Sequence, residues 1–225
     1  MPTEVGELRR GLSDLRTGAL LELMATSISL ILIFLYSEAL ARSLAGSPSF
    51  PLGNLIPITL FMVPIGGLIL ASLYELLRAT GHLRKFDPNL GVGRSGVAIE
   101  LMGIAVLASV ICWGSLSESL PGFAVALLIL AAGLIGMGRA AVGLMVMRLW
   151  EIEGLDKEFK VAGTIYVAGT VLCLIVITFF IGALLNLVAL VLIHTYSGSG
   201  LRYLSELGSA GAGDPLEGSD AQGLR

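Results

Sequence analysis

Long apolar runs recur along this chain, at about Gly18–Leu40, Leu55–Leu77, Gly96–Leu116 and Gly122–Trp150, with a last one over residues 161–196. Crossing a hydrocarbon core of about 30 Å takes about 20 residues of helix, so each run is long enough to span a bilayer. Lipid offers no partner for backbone N–H and C=O groups, which restricts such runs to helices or closed barrels. Their length and continuous apolarity point to helices. Only 14% of the 225 residues are charged and 55% are hydrophobic, where a soluble domain carries about 25% charged residues. The predicted class is an all-α polytopic membrane bundle.

The last run is 36 residues long. One helix of that length would extend about 54 Å, too far for an ordinary span. Two tight spans turning near Phe179–Gly182 fit better, with a re-entrant pair as the other solution. The expectation is therefore six helices. Arg9, Arg10 and Arg16 precede the first, while Arg78, Arg84, Lys85 and Arg94 lie between the second and third. Arg148, Lys157 and Lys160 lie between the fourth and fifth, and the opposite side offers Arg42. By the positive-inside rule both termini are cytoplasmic.

Three stretches of similar text open the odd-numbered spans: Thr17–Met24, Ser95–Met102 and Ala162–Gly169. Their period of about 70–80 residues predicts three helical hairpins of one orientation, about 18–78, 96–150 and 161–196, within a membrane domain of residues 18–196. Residues 1–17 place Val5, Leu8, Leu12 and Leu15 on one face and predict an amphipathic segment lying in the interface. From Ser197 to Arg225 the Gly/Ser-rich text predicts a disordered cytoplasmic tail. The small-residue motif Ala39-Leu40-Ala41 resembles a signal-peptidase site, but the preceding run is too long for a signal peptide and the segment is expected to be retained.

One basic residue stands deep inside a run. Arg139 shares a helical stripe with Ala132, Gly136 and Gly143, so the stripe is expected to face protein, where small residues allow close helix approach. A guanidinium in a span needs an acid or carbonyl partner. Glu22 and Glu100 hold equivalent repeat positions among small residues (Gly18 and Ala25; Gly96 and Gly103), whereas the third repeat carries Val167 there. Arg139 lies about 13 Å inside Arg148 and can reach back toward both acids. A Glu22–Arg139–Glu100 cluster follows as the candidate intramembrane site. It serves either as a fixed ion pair that holds helices in register or as an exchangeable ion or solute site.

Pro57 and Pro64, followed by Gly66 and Gly67, predict a kink in the second span, a packing feature or a gate. Gly91, Gly93 and Gly96 form a G-x-G-x-x-G, but a polar elbow precedes it and a span follows it, so no dinucleotide fold is expected. Gly93 and Arg94 there form a candidate lipid-phosphate contact. Glu38, Asn186 and His194 are expected to be interfacial or interhelical polar groups. Two cysteines and two histidines provide no metal spacing and no nucleophile–base pair, so no metal, no cofactor and no enzyme activity are expected. A formal net charge of −3 points to no nucleic-acid partner.

The LRTGALLELM text, the glycine entries that follow each charged elbow and the FKVAGTIYVAGTVLCLI run resemble a family of uncharacterised archaeal multi-spanning membrane proteins, a domain of unknown function. The resemblance covers roughly residues 6–196 and implies an archaeal plasma-membrane setting without supplying a catalytic residue. The expected partners are the lipid bilayer and other membrane subunits or further copies of the chain. The first expectation for function is an accessory or scaffold subunit of a membrane assembly. The alternative is a small permease or channel that uses the Glu/Arg cluster.

Overall fold

The computed structural model describes residues 2–44, 55–116, 123–175 and 178–212. Six helices make up almost all of them: α1 Pro2–Leu44, α2 Leu55–Phe86, α3 Val92–Leu116, α4 Phe123–Arg148, α5 Glu158–Cys173 and α6 Phe179–Ala212. Short 3-10 turns at Pro88–Gly91 and Leu149–Glu151 join α2 to α3 and lead out of α4. Five helices are long and apolar enough to cross a membrane; α5, with 16 residues, extends about 24 Å. Each helix packs on its neighbours in sequence, and α6 returns to α1, so the six form a closed ring.

Glycines set how close the antiparallel neighbours come. On α1, Gly11 lies against Leu83 and Gly18 against Leu76 of α2. Gly96 and Gly138 bring the α3 and α4 backbones together, and a Cβ on Gly96 would stand 2.6 Å from the carbonyl oxygen of Gly138. Gly143 with Gly163 does the same for α4 and α5, and Gly169 with Gly182 for α5 and α6. Without a solvent-driven hydrophobic term in lipid, such close contact is the main source of helix–helix attraction.

Several expectations change here. The break between α5 and α6 falls after Cys173, earlier than Phe179–Gly182, which lies in the first turn of α6. Backbone N–H groups of Ile175 and Thr178 donate to the carbonyls of Leu172 and Ile175, and Thr178 Oγ1 donates to the same two oxygens at 2.9 and 3.3 Å. Gly182 is a close-packing glycine against the Cys173 backbone. The segment before the first run is no separate interfacial helix, because α1 runs unbroken from Pro2. Leu8, Leu12 and Leu15 are buried, since α2 and α6 supply Leu83 and Gly200 to cover that face. Glu7 Oε2 stands 2.6 Å from His82 Nδ1, and Asp14 lies 3.7 Å from Arg78, joining the charged ends of α1 and α2. Nor does the chain loosen at Ser197: α6 continues to Ala212, with Ser197 and Gly200 buried. Gly198 and Gly200 make room for Arg16 and Leu12, so residues expected to give flexibility serve close approach. The end of the expected tail, residues 213–225, lies outside the described residues.

The third hairpin is the shortest. Leu174, just past the end of α5, lies over Gly136 of α4. From that level α4 continues to Phe123, about 20 Å further from the charged end. This explains why Ala132 is exposed although it shares the expected stripe: one turn beyond Gly136 no fifth helix remains to cover it, and Ala131 packs toward Gly103 of α3.

The seams make a specific prediction for stability in detergent. Gly96→Ala or Gly138→Ala forces apart two backbones and is expected to destabilise by about 1–3 kcal/mol. Gly133→Ala on the same α4, where an added Cβ meets nothing within 4 Å, is neutral or stabilises by up to about 1 kcal/mol. Thermal unfolding of the three variants checks the contrast; equal effects would refute the seam.

Candidate functional site

Glu22, Glu100 and Arg139 come together inside the ring. Arg139 Nε donates to Glu100 Oε1 at 2.9 Å, and its Nη2 lies 3.2 Å from Glu22 Oε1. Both acids are buried, at 6% and 3% exposure, while the Arg139 side chain keeps 23%. The guanidinium fork suits two acceptors in different directions, which a lysine ammonium would hold less rigidly. Each carboxylate is placed by a close seam. Gly138 abuts Glu100, and Gly18, one turn before Glu22, sits against Leu76.

A fourth member comes from α5. The Tyr166 hydroxyl donates to Glu22 Oε1 at 2.8 Å, and the ring is 1% exposed. Gly143 leaves space beside it for Tyr166 and Val167. The repeat register directs attention to Val167, which packs on Gly143; the residue that reaches the acid stands one position earlier, rotated by about 100° on the helix. A polar side chain on an otherwise small or apolar α5 face is the sequence signal that would have found it.

Beside the cluster is a partly open cavity of about 170 Å³, lined by Glu22, Ala25, Thr26, Ser29, Ile69, Ser72, Leu73, Glu100 and Arg139. Glu22, Thr26 and Ser29 follow the i, i+4, i+7 spacing of one α1 face and form a polar stripe there. The Ser72 hydroxyl donates to the Gly18 carbonyl at 3.0 Å, and that of Ser29 to the Ala25 carbonyl at 2.8 Å. Below the cavity, toward the charged end, Ala19, Leu76, Val97, Val142 and Val146 form a continuous buried plug.

The remaining candidates lie elsewhere. Pro64 and Gly67 are exposed, Gly66 has open space where a Cβ would stand, and none of the three lines the cavity. The side chains of Pro57 and Glu38 are outside the described residues. Gly93 is buried against Met145 and Thr80, so it offers no open face to a headgroup, while Arg94 beside it is exposed. Asn186 is buried between α5 and α6; its Nδ2 lies 3.7 Å from Cys173 Sγ and its Oδ1 abuts Gly169 without a hydrogen bond. His194 Nδ1 is 3.1 Å from the Arg16 carbonyl and links α6 to α1. Among the described residues, no group of three or more His, Cys, Asp or Glu side chains is placed to hold a metal ion.

No known family model, characterised protein or solved structure matches this chain. The site therefore rests on its own chemistry. Removing the guanidinium strands two buried carboxylates, so Arg139→Met is expected to destabilise by about 3 kcal/mol or more. Adding Glu22→Gln and Glu100→Gln should recover much of that loss. Tyr166→Phe removes one of the bonds to Glu22 and is expected to lower stability by about 1–2 kcal/mol. Unfolding in detergent checks the series; an Arg139→Met variant as stable as the parent would show that the guanidinium does not hold the bundle.

Proposed function

We propose that this chain is a small permease or channel, a multi-pass protein of the plasma membrane built as three similarly oriented hairpins with both termini cytoplasmic. The antiparallel pairs α1–α2, α3–α4 and α5–α6 support the hairpin reading, and the basic residues between spans support the orientation. One observation carries the functional part. Two buried carboxylates and a guanidinium form the wall of a cavity inside the bundle. Ionisable groups are unfavourable in a span by about 2.5–3.5 kcal/mol each at its centre, and those lining a cavity mark solute and ion pathways. A cluster serving helix register alone would need no space beside it.

A second reading has its own support. The glycine seams lock the helices tightly, as suits an accessory subunit or scaffold that binds other membrane subunits or further copies of itself. The motif resemblance to archaeal membrane proteins fits either reading and brings no residue into the site. The two separate in proteoliposomes. The permease reading expects flux of an ion or small solute above that of empty vesicles, reduced about tenfold or more by Arg139→Lys and by the cavity-filling Thr26→Leu. Parent-level flux in both variants, or no flux above background across a panel of small ions and solutes, would leave the scaffold.

A further inference from the structure

We infer that the cavity takes a small organic cation bearing N–H donors, of the alkylammonium or guanidinium class, admitted from the end opposite the charged one. This rests on the permease reading and adds the chemistry of the solute. The first ground is which hydrogen-bonding capacity remains. Arg139 directs Nε to Glu100 and Nη2 to Glu22, which engages two of its five N–H bonds. Ser29 and Ser72 direct their hydroxyl hydrogens to backbone carbonyls, which leaves oxygen lone pairs as what these side chains still offer. Both carboxylates engage the guanidinium through Oε1. The wall thus offers acceptors at two carboxylates and two hydroxyl oxygens beside the remaining guanidinium N–H bonds, and a solute with N–H donors finds partners there.

Charge gives the same sign. Two carboxylates against one guanidinium leave one negative charge when both acids are ionised, and an anion entering would face both. Size sets the scale of what the enclosed part holds. About 170 Å³ is close to an engineered cavity of about 150 Å³ that admits benzene, so on the order of six non-hydrogen atoms fit. Ala25, Ile69 and Leu73 suit a short hydrocarbon body on such a cation. Direction follows from the plug. Ala19, Leu76, Val97, Val142 and Val146 close the charged side, while Thr26, Ser29 and Ile69 carry the lining the other way.

The test uses the full chain in liposomes and guanidinium as the probe, because its permanent charge prevents leakage as a neutral base. Saturable guanidinium uptake, inhibited by ethylammonium and little affected by tetramethylammonium or acetate, is expected. Glu100→Gln should reduce that uptake about tenfold or more, the order of a charge-assisted hydrogen bond. Should that variant fail to fold, Ser29→Val, which removes an acceptor and narrows the cavity, is expected to lower uptake several-fold, and the selectivity of the parent decides independently. Flux of acetate, or of tetramethylammonium and potassium at the rate of guanidinium, with Arg139→Lys still abolishing it, overturns the cation class and leaves a permease. No flux of any of these solutes removes both proposals.

Discussion

A guanidinium held between carboxylates from two other helices is the interaction on which this bundle depends. In hydrocarbon the alternative is an unpaired ion, far less favourable than a strained or distant contact in water. Arg139 of α4 therefore acts as a tie between α1 and α3, and the Tyr166 hydroxyl extends the tie to α5. Helices from all three hairpins meet at this point. Where α2 and α3 touch only sparingly, the cluster and its cavity occupy the space between the first two hairpins.

Close backbone approach makes the tie geometrically feasible. An alanine at Gly138 would press on the Glu100 backbone, and one at Gly143 would displace Val167 and crowd Tyr166. The same glycines that provide dispersion contact between helices thus also set the positions of the polar atoms. Packing and electrostatics are here one design, because the reach of a side chain is useful only if the helix axes stand at the right spacing.

The two ends of the molecule differ in kind. At the charged end α1 and α6 extend well past the apolar runs, and Leu8, Leu12, Leu15 and Leu204 join a core continuous with that of the bundle. At the other end the third hairpin stops at the level of Gly136 while α4 continues. Closure is therefore concentrated on the charged side and space on the other. The turn at Leu174–Ile175 keeps its carbonyls paired within the chain, through the backbone N–H groups of Ile175 and Thr178 and the Thr178 hydroxyl.

Much of this was legible in the chain itself. Run length and apolarity dictate helices across a bilayer, and an arginine within a run dictates an acidic partner, of which Glu22 and Glu100 stand on small-residue faces. These are local constraints, set by what lipid cannot solvate. Other features depend on which helix stands opposite, and no local pattern carries that. Ala132 and Gly136 share a stripe in sequence, yet Gly136 is buried under Leu174 while Ala132 is exposed, because α5 ends at that level. Ser197–Gly200 has the composition of a flexible linker, yet it packs because Arg16 and Leu12 face it. Tyr166 entered the cluster through a rotation that the repeat register could not specify. The sequence by itself determined the membrane-spanning helices and the need to neutralise one charge; only the tertiary structure decided which surfaces meet, because that depends on the ends and spacings of helices far apart in the chain.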